Sequence, residues 1–313
     1  MISFSAADAI RDPEIRKAVQ ASPLFAAADG DLSKISIYPV FQAIVDGDGH
    51  VVCHEVLTRC KIGDKFVNPV DLYRDADKHG YSQDLFRGVL NAAMQEAGNQ
   101  PLWVNISPDA VMDDRFRDTV FAASRLHGYD LGKLMVEITE EPCAAGNMAL
   151  AERIAELKVG LGVRIAQDDI QTDDISLERL RYLPVDYVKT ARELLVAAGQ
   201  SEEDKQKLKE LIELCHSKGL PVIVEGIENE ADRDLVKQLG GDYMQGFHFS
   251  RPAPELLPCT RPLAAVQREA DPLGLETAVS QSDLSRLRDL ERHCSQEAVD
   301  AAEEEVEESS ISL

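Results

Sequence analysis

Polar residues recur in this chain at one kind of place, directly after a short run of Val, Ile, Leu or Met. Glu55 follows VVCH, Asn105 follows LWV, Glu137 follows LMV, Asp168 and Asp169 follow VRIAQ, Lys189 follows VDYV, Glu225 follows VIV and Gln245 follows DYM. A single such ending says little, because strand ends face water. Seven of them imply a shared rim on which the groups converge. Carboxylates gathered at one rim repel each other and resist desolvation, so a cation is their natural partner. Ligation by oxygen alone points to Mg or Mn. Four carboxylates and an amide exceed what one Mg usually takes from protein, which favours two ions bridged by an aspartate. Ions about 3.5–4 Å apart suit phosphodiester hydrolysis, because they acidify a water between them and stabilise an in-line displacement. Lys189 would then neutralise phosphate charge.

Elements of two kinds must position these residues. From Ile35 onward, strand-length apolar runs alternate with longer runs of helical period. The strand candidates are ISIYPVFQAIV, HVVCHEVL, PLWVN, LMVEIT, VRIAQDD, VDYVKT, LPVIVEG and DYMQGFHF. Between them lie helix candidates such as DLFRGVLNAAMQEA, MALAERIAELKVG and SEEDKQKLKELIELCHSKG. Eight strands over residues 35–250 predict a (β/α)8 barrel, whose C-terminal strand ends are where such barrels place their chemistry. A doubly wound open sheet is the alternative; the Gly-rich G-x-G-x-x-G turn that would announce it as a dinucleotide binder is missing. The division expected is a lead-in over 1–33 with one helix-like stretch (AADAIRDPEIRKAVQ), the barrel over 34–256 and a C-terminal extension over 257–313. The extension is expected to hold a helix near Asp283–Arg292 and an acidic, solvated tail around Glu303–Glu308.

The 313 residues carry a net charge of −23, which argues against a surface that tracks duplex nucleic acid. No apolar run approaches the roughly 20 residues needed to cross a bilayer, and the N-terminus lacks the pattern of a secretory signal, so a cytoplasmic protein is expected. Six scattered cysteines, none in C-x-x-C spacing, read as reduced packing residues. His54, next to Glu55, is expected on the opposite face of its strand. His248 is read as structural, and Trp103 is expected to fill the layer between barrel and helices.

Read together, the segments FQAIVD (41–46), EVLTR (55–59), VNISP (104–108), VEITE (136–140), DDIQT (168–172), LPVDYVK (183–189), VEGIE (224–228) and DYMQGFHFSRPAP (242–254) resemble the EAL-domain cyclic-di-GMP phosphodiesterases. The resemblance implies a barrel enzyme that opens cyclic di-GMP to linear pGpG with two Mg or Mn ions. It makes Glu55, Asn105, Glu137 and Asp168 ligands of the first ion. Asp168 and Asp169, with Glu225, become the surroundings of the second, and Glu225 helps activate the attacking water. Lys189 is similar to the family's lysine beside water and phosphate. Gln42 and Arg59 correspond to contacts with guanine or phosphate, Gln245 to the glutamine of the last active-site strand, and Thr172 with Glu228 to a pair that steadies the loop after the double aspartate. A homodimer and a protein partner for the terminal segments are further expectations.

Four positions depart from the family pattern. Glu-Val-Leu replaces Glu-Ala-Leu at 55–57, which keeps the carboxylate. Ala191 stands two residues after the lysine where the family has aspartate. Residues 170–176 read IQTDDIS instead of Phe-Gly-Thr-Gly-Tyr-Ser-Ser, which removes two glycines and a tyrosine. Asp109 replaces an arginine and would repel an anionic substrate. Asp173 and Asp174 are acids the loop has gained, and either could stand in for the lost aspartate. Two readings result: a hydrolase, supported by every retained acidic position, or a catalytically degenerate member that binds the nucleotide or a protein partner.

Overall fold

The computed structural model describes residues 2–263, with only the backbone at 174, 175 and 178. The helix and tail expected near 283–292 and 303–308, and most of the C-terminal extension, lie outside the described residues.

Among the described residues ten strands form: β1 (Phe4–Ser5), β2 (Ile35–Asp46), β3 (Val51–Ile62), β4 (Lys65–Val67), β5 (Leu102–Ile106), β6 (Leu134–Ile138), β7 (Arg164–Ile170), β8 (Tyr187–Thr190), β9 (Val222–Val224) and β10 (Tyr243–Gln245). Eight of them, β2, β3 and β5 to β10, close on themselves through the β2–β3 and β10–β2 pairings. Seven run parallel. β2 alone is antiparallel to both its neighbours, β3 and β10, so the barrel is mixed. The cause is local: β2 and β3 are joined by residues 47–50, and a connection that short can link only antiparallel strands. Asp46 builds the turn by accepting the backbone N–H of Asp48 and of His50, each at 2.9 Å.

Helices ring the barrel. Those over Pro69–His79, Asp114–His127 and Glu230–Leu239 start at side-chain caps from Asn68, Asp113 and Asn229, and each stops at a glycine in the left-handed conformation. The helix over Glu202–Ser217 buries Leu208, Leu211, Ile212 and Cys215 and leaves its lysines in water.

The lead-in folds as three short helices, Ala6–Ala9, Pro13–Val19 and Pro23–Ala27, where one was expected. Pro13 cannot continue a preceding helix, and Asp12 caps a new one by accepting from Glu14 N–H at 2.7 Å. This segment packs tightly on the barrel. β1 pairs with β2, and Ser22 Oγ donates to the buried Asp75 carboxylate at 2.8 Å. At the other end of the described chain, Thr260 N–H bonds Val51 C=O at 2.9 Å and Leu263 joins the barrel's inner core.

The barrel interior is built in layers, because alternate side chains of each strand point inward. One layer is apolar: Ile44, Cys53, Trp103, Met135, Ala166, Tyr187, Ile223 and Tyr243 all belong to a single buried cluster. Trp103 therefore lies inside the barrel, edge-on to Tyr187 at 5.4 Å, and not in the outer layer expected for it. Tyr187 in turn meets Tyr243 at 6.4 Å. His54 is buried on the outward face, its Nδ1 3.8 Å from Cys259 Sγ.

Candidate active site

Two residues further along each strand, in the direction of the parallel strands' C-terminal ends, the inward position changes character. The apolar floor gives way to Gln42, Glu55, Asn105, Glu137, Asp168, Lys189, Glu225 and Gln245, one from each barrel strand or from the residue just after it. On β2, which runs the other way, Gln42 precedes Ile44 by the same two residues. A ring of eight polar side chains thus sits directly on a ring of eight mostly apolar ones.

Lys189 is the hub. Its side chain is 2% exposed, and Nζ lies 2.5 Å from Glu225 Oε1, 2.6 Å from Glu137 Oε1, 3.7 Å from Asp168 Oδ1 and 3.8 Å from Glu55 Oε1. Burial by itself would favour the neutral amine, but the four carboxylates outweigh it and hold the ammonium well above its usual pKa. Glu55 is fixed on its other side by Asn105 Nδ2 at 2.7 Å and Gln245 Nε2 at 2.5 Å. Gln245 Nε2 also reaches Gln42 Oε1 at 3.3 Å, and Gln42 Nε2 donates to Ser250 C=O at 3.1 Å. Gln245 owes its position to Gly246, where a Cβ would sit 2.1 Å from Ile227 O; only glycine lets the chain leave β10 against that backbone.

The ring carries more negative charge than one lysine can balance. Glu137 is fully buried, and its Oε2 has no hydrogen-bond partner among the described residues; burial pushes its carboxyl pKa up, Asp168 and Glu55 add to the rise, and Lys189 opposes it. Glu225 is raised from 4.5 to about 7, chiefly by burial, with Glu55 and Asp168 contributing against Lys189. Asp169 is raised from 3.8 to about 6 by burial and by Asp168 and Glu140. Asp169 also adopts φ +47, a left-handed conformation uncommon for a residue other than glycine, at the point where the β7–β8 register shifts.

Two groups of carboxylate oxygens each lie within 4.8 Å of one another: Glu137, Asp168 and Glu225, and Glu140, Asp168 and Asp169. Asp168 belongs to both. These hard oxygen donors, crowded and with Glu137 Oε2 unpaired, fit a divalent cation of the Mg or Mn type. Glu140 was not singled out from the sequence, although it closes the VEITE segment. It stands past the end of β6 on an exposed loop, where a glutamate attracts no notice. The group Asp46, Asp48 and His50 at the β2–β3 turn lies at the opposite end of the barrel, and Arg261 already pairs with Asp46 and Asp48 at 3.1 and 3.0 Å.

The remaining expected residues are more scattered. Arg59 is half-buried, on the same face of β3 as Glu55, and donates to Thr58 C=O at 2.9 Å. With Asn105, Tyr73 and Phe86 it lines a cavity of about 190 Å³ at the edge of the ring. Thr172 and Glu228 are both exposed and do not bond each other; Glu228 pairs with Arg192. Asp173 caps the helix Asp174–Tyr182 by accepting Ser176 N–H at 2.7 Å, which commits it locally, and the side chain of 174 lies outside the described residues. Ala191 is buried and is the N-cap of the helix Arg192–Ala198, where it offers no side-chain cap. His248 is exposed, its ring against Phe249 at 4.9 Å.

The fold is a closed barrel with an acidic ring at its C-terminal mouth, the end where barrels of this class place their chemistry. The sequence model of the EAL domain matches residues 26–252, and the chain belongs to that family. It is 30% identical over 215 residues to the uncharacterised protein y4lL of Sinorhizobium fredii, covering 66% of this chain and 25% of that one. To the cyclic di-GMP phosphodiesterase PdeF of Escherichia coli it is 28% identical over 211 residues, covering 65% of this chain and 28% of PdeF. The chain thus spans about a quarter of the length of these curated relatives. Among solved structures, the PaMucR phosphodiesterase in its c-di-GMP complex superposes with a TM-score of 0.64 at 24% identity, over 70% of this chain and 92% of that one. Among the described residues no helix is long and apolar enough to cross a membrane.

Proposed function

We propose that the protein is a divalent-metal-dependent phosphodiesterase that hydrolyses cyclic di-GMP to pGpG in the cytoplasm. The observation that carries this reading is the single ring formed by Glu55, Asn105, Glu137, Asp168, Lys189 and Glu225, with its excess of buried carboxylate. Glu55, Asn105, Glu137 and Asp168 would hold one Mg or Mn ion, and Asp168 and Asp169, with Glu140 and Glu225 near by, a second. Bound there, the ions would supply Lewis acidity toward a phosphate oxygen and acidify a coordinated water.

The chain's own groups do the rest. Glu225, whose Oε1 lies 2.5 Å from Lys189 Nζ at the centre of the ring, is placed to accept a proton at its carboxylate from the attacking water. As water oxygen bonds to phosphorus, the phosphorus–O3′ bond breaks, and the 3′ oxygen leaves with a proton from solvent. Lys189 keeps its ammonium at the centre of the ring and offsets phosphate charge. Gln42, Arg59 and Gln245 orient the nucleotide at the mouth.

The test is product analysis with the purified chain and Mn or Mg. Linear pGpG should form, and neither EDTA-treated protein nor Asp168→Ala should produce it; a wild type that leaves cyclic di-GMP intact with both metals would sink the proposal. The receptor reading has one observation in its favour, the buried methyl of Ala191 where the family carries a carboxylate. It predicts binding of cyclic di-GMP without turnover.

A further inference from the structure

The loop over 139–146 leaves β6 just beyond Glu137 and carries Glu140, whose carboxylate comes within 4.8 Å of Asp168 and Asp169. Two side chains from elsewhere in the fold hold this loop. Asp109 Oδ1 accepts the N–H of Ala144 at 2.8 Å, and Arg179 Nη1 donates to the C=O of Thr139 at 3.2 Å. One contact grips the loop before Glu140 and the other after it.

Arg179 is an expensive way to make one hydrogen bond. It is 3% exposed, and its Nε and Nη2 have no hydrogen-bond partner among the described residues. Burial works against its charge, and Glu140, Cys143 and Glu141 on the loop work for it. A buried guanidinium with two unmet donors costs stability that an apolar residue on the same inner helix face would not. The position makes sense if the loop's placement matters more than the helix's packing. Asp109 fits the same view: its carboxylate accepts a backbone N–H of the loop and so anchors it.

We propose that Asp109 and Arg179 form a two-point clamp that presents Glu140 to the Asp168–Asp169 end of the ring, and thereby set that end's affinity for a divalent cation. This rests on the metal-dependent reading above. Both are positioning residues, acting through the loop and through Glu140.

The clamp is tested by titrating the full chain with Mn²⁺ and following free Mn²⁺ by electron paramagnetic resonance, a readout independent of turnover. Wild type should show two sites. Asp109→Ala and Arg179→Ala should each weaken one site about tenfold, the size expected for loss of a group behind the ligands, and leave the other within about twofold. Arg179→Lys, which can still donate to Thr139 C=O, should recover part of the loss. Glu140→Gln should produce the same loss, and Asp109→Ala should add nothing to it, because both act on one carboxylate. If Arg179→Ala fails to fold, Asp109→Ala at its exposed site carries the test alone. Equal weakening of both sites, no weakening, or additive losses with Glu140→Gln would overturn the clamp. A wild type that takes up no Mn²⁺ would instead sink the metal-dependent reading, and the clamp with it.

Discussion

The floor and the rim of this barrel are made by the same eight strands, two residues apart. In the floor, Trp103, Tyr187 and Tyr243 meet edge to face and Ile44, Met135 and Ile223 fill the remaining space. In the rim, the next inward positions put Glu55, Glu137, Asp168 and Glu225 around one lysine. The floor lowers free energy by removing apolar surface from water. The rim raises it, because buried like charges are held together by packing paid for elsewhere. Proximity in the chain therefore says nothing about which layer stabilises and which one is poised to bind; the step of one strand repeat decides.

If the layers differ in this way, they respond differently to a cation. Truncating the floor with Trp103→Ala should cost about 3–5 kcal/mol, and by the same amount in EDTA as in Mn, when followed by denaturant unfolding. Removing the hub with Lys189→Met should cost about 3–5 kcal/mol in EDTA, as expected when one partner of a buried ionic cluster is lost. That deficit should shrink in Mn, which replaces the missing positive charge. A Trp103 variant rescued by Mn, or a Lys189 variant indifferent to it, would erase the distinction.

Titration sharpens the contrast further. Glu225 rises from 4.5 to about 7 and Asp169 from 3.8 to about 6, so between those values the folded protein holds protons that the unfolded chain has released. Their contribution is most favourable below pH 4 and is lost as pH rises toward 7. In EDTA the melting temperature of wild type should therefore fall relative to Glu225→Gln over pH 4.5–7. Parallel curves for the two proteins would show that Glu225 is not strained. The smallest effect concerns Ala191→Asp, which supplies a cap to the helix Arg192–Ala198, about 1 kcal/mol, together with a carboxylate near the rim. Turnover should rise with it, and an unchanged rate would mean the site works without that group.

Much of this was legible in the sequence, and the reasons are physical. Each strand carries its own alternation, so the residues ending LWVN or LMVE reveal both a strand and the group at its tip. The same rule of two places Trp103 on the face of Asn105, inside the barrel, and overrules its expected place in the outer layer. The antiparallel course of β2 follows from the short GDGH connection, a consequence that the strand count behind the (β/α)8 expectation did not draw. Other features depend on geometry that no local pattern encodes. Arg179 looks like one more charge on a helix, and only the fold brings it under the Thr139 carbonyl. Thr172 and Glu228 were paired by resemblance, yet both are exposed and Glu228 pairs with Arg192 instead.

The central claim is that the rim is strained by charge that a divalent cation relieves. Its most direct test is thermal unfolding of the full chain at neutral pH in EDTA and in Mn, for wild type and Asp168→Ala side by side. The account predicts that Mn raises the melting temperature of wild type and leaves that of Asp168→Ala unchanged. Equal shifts in the two proteins, or none in wild type, would contradict it.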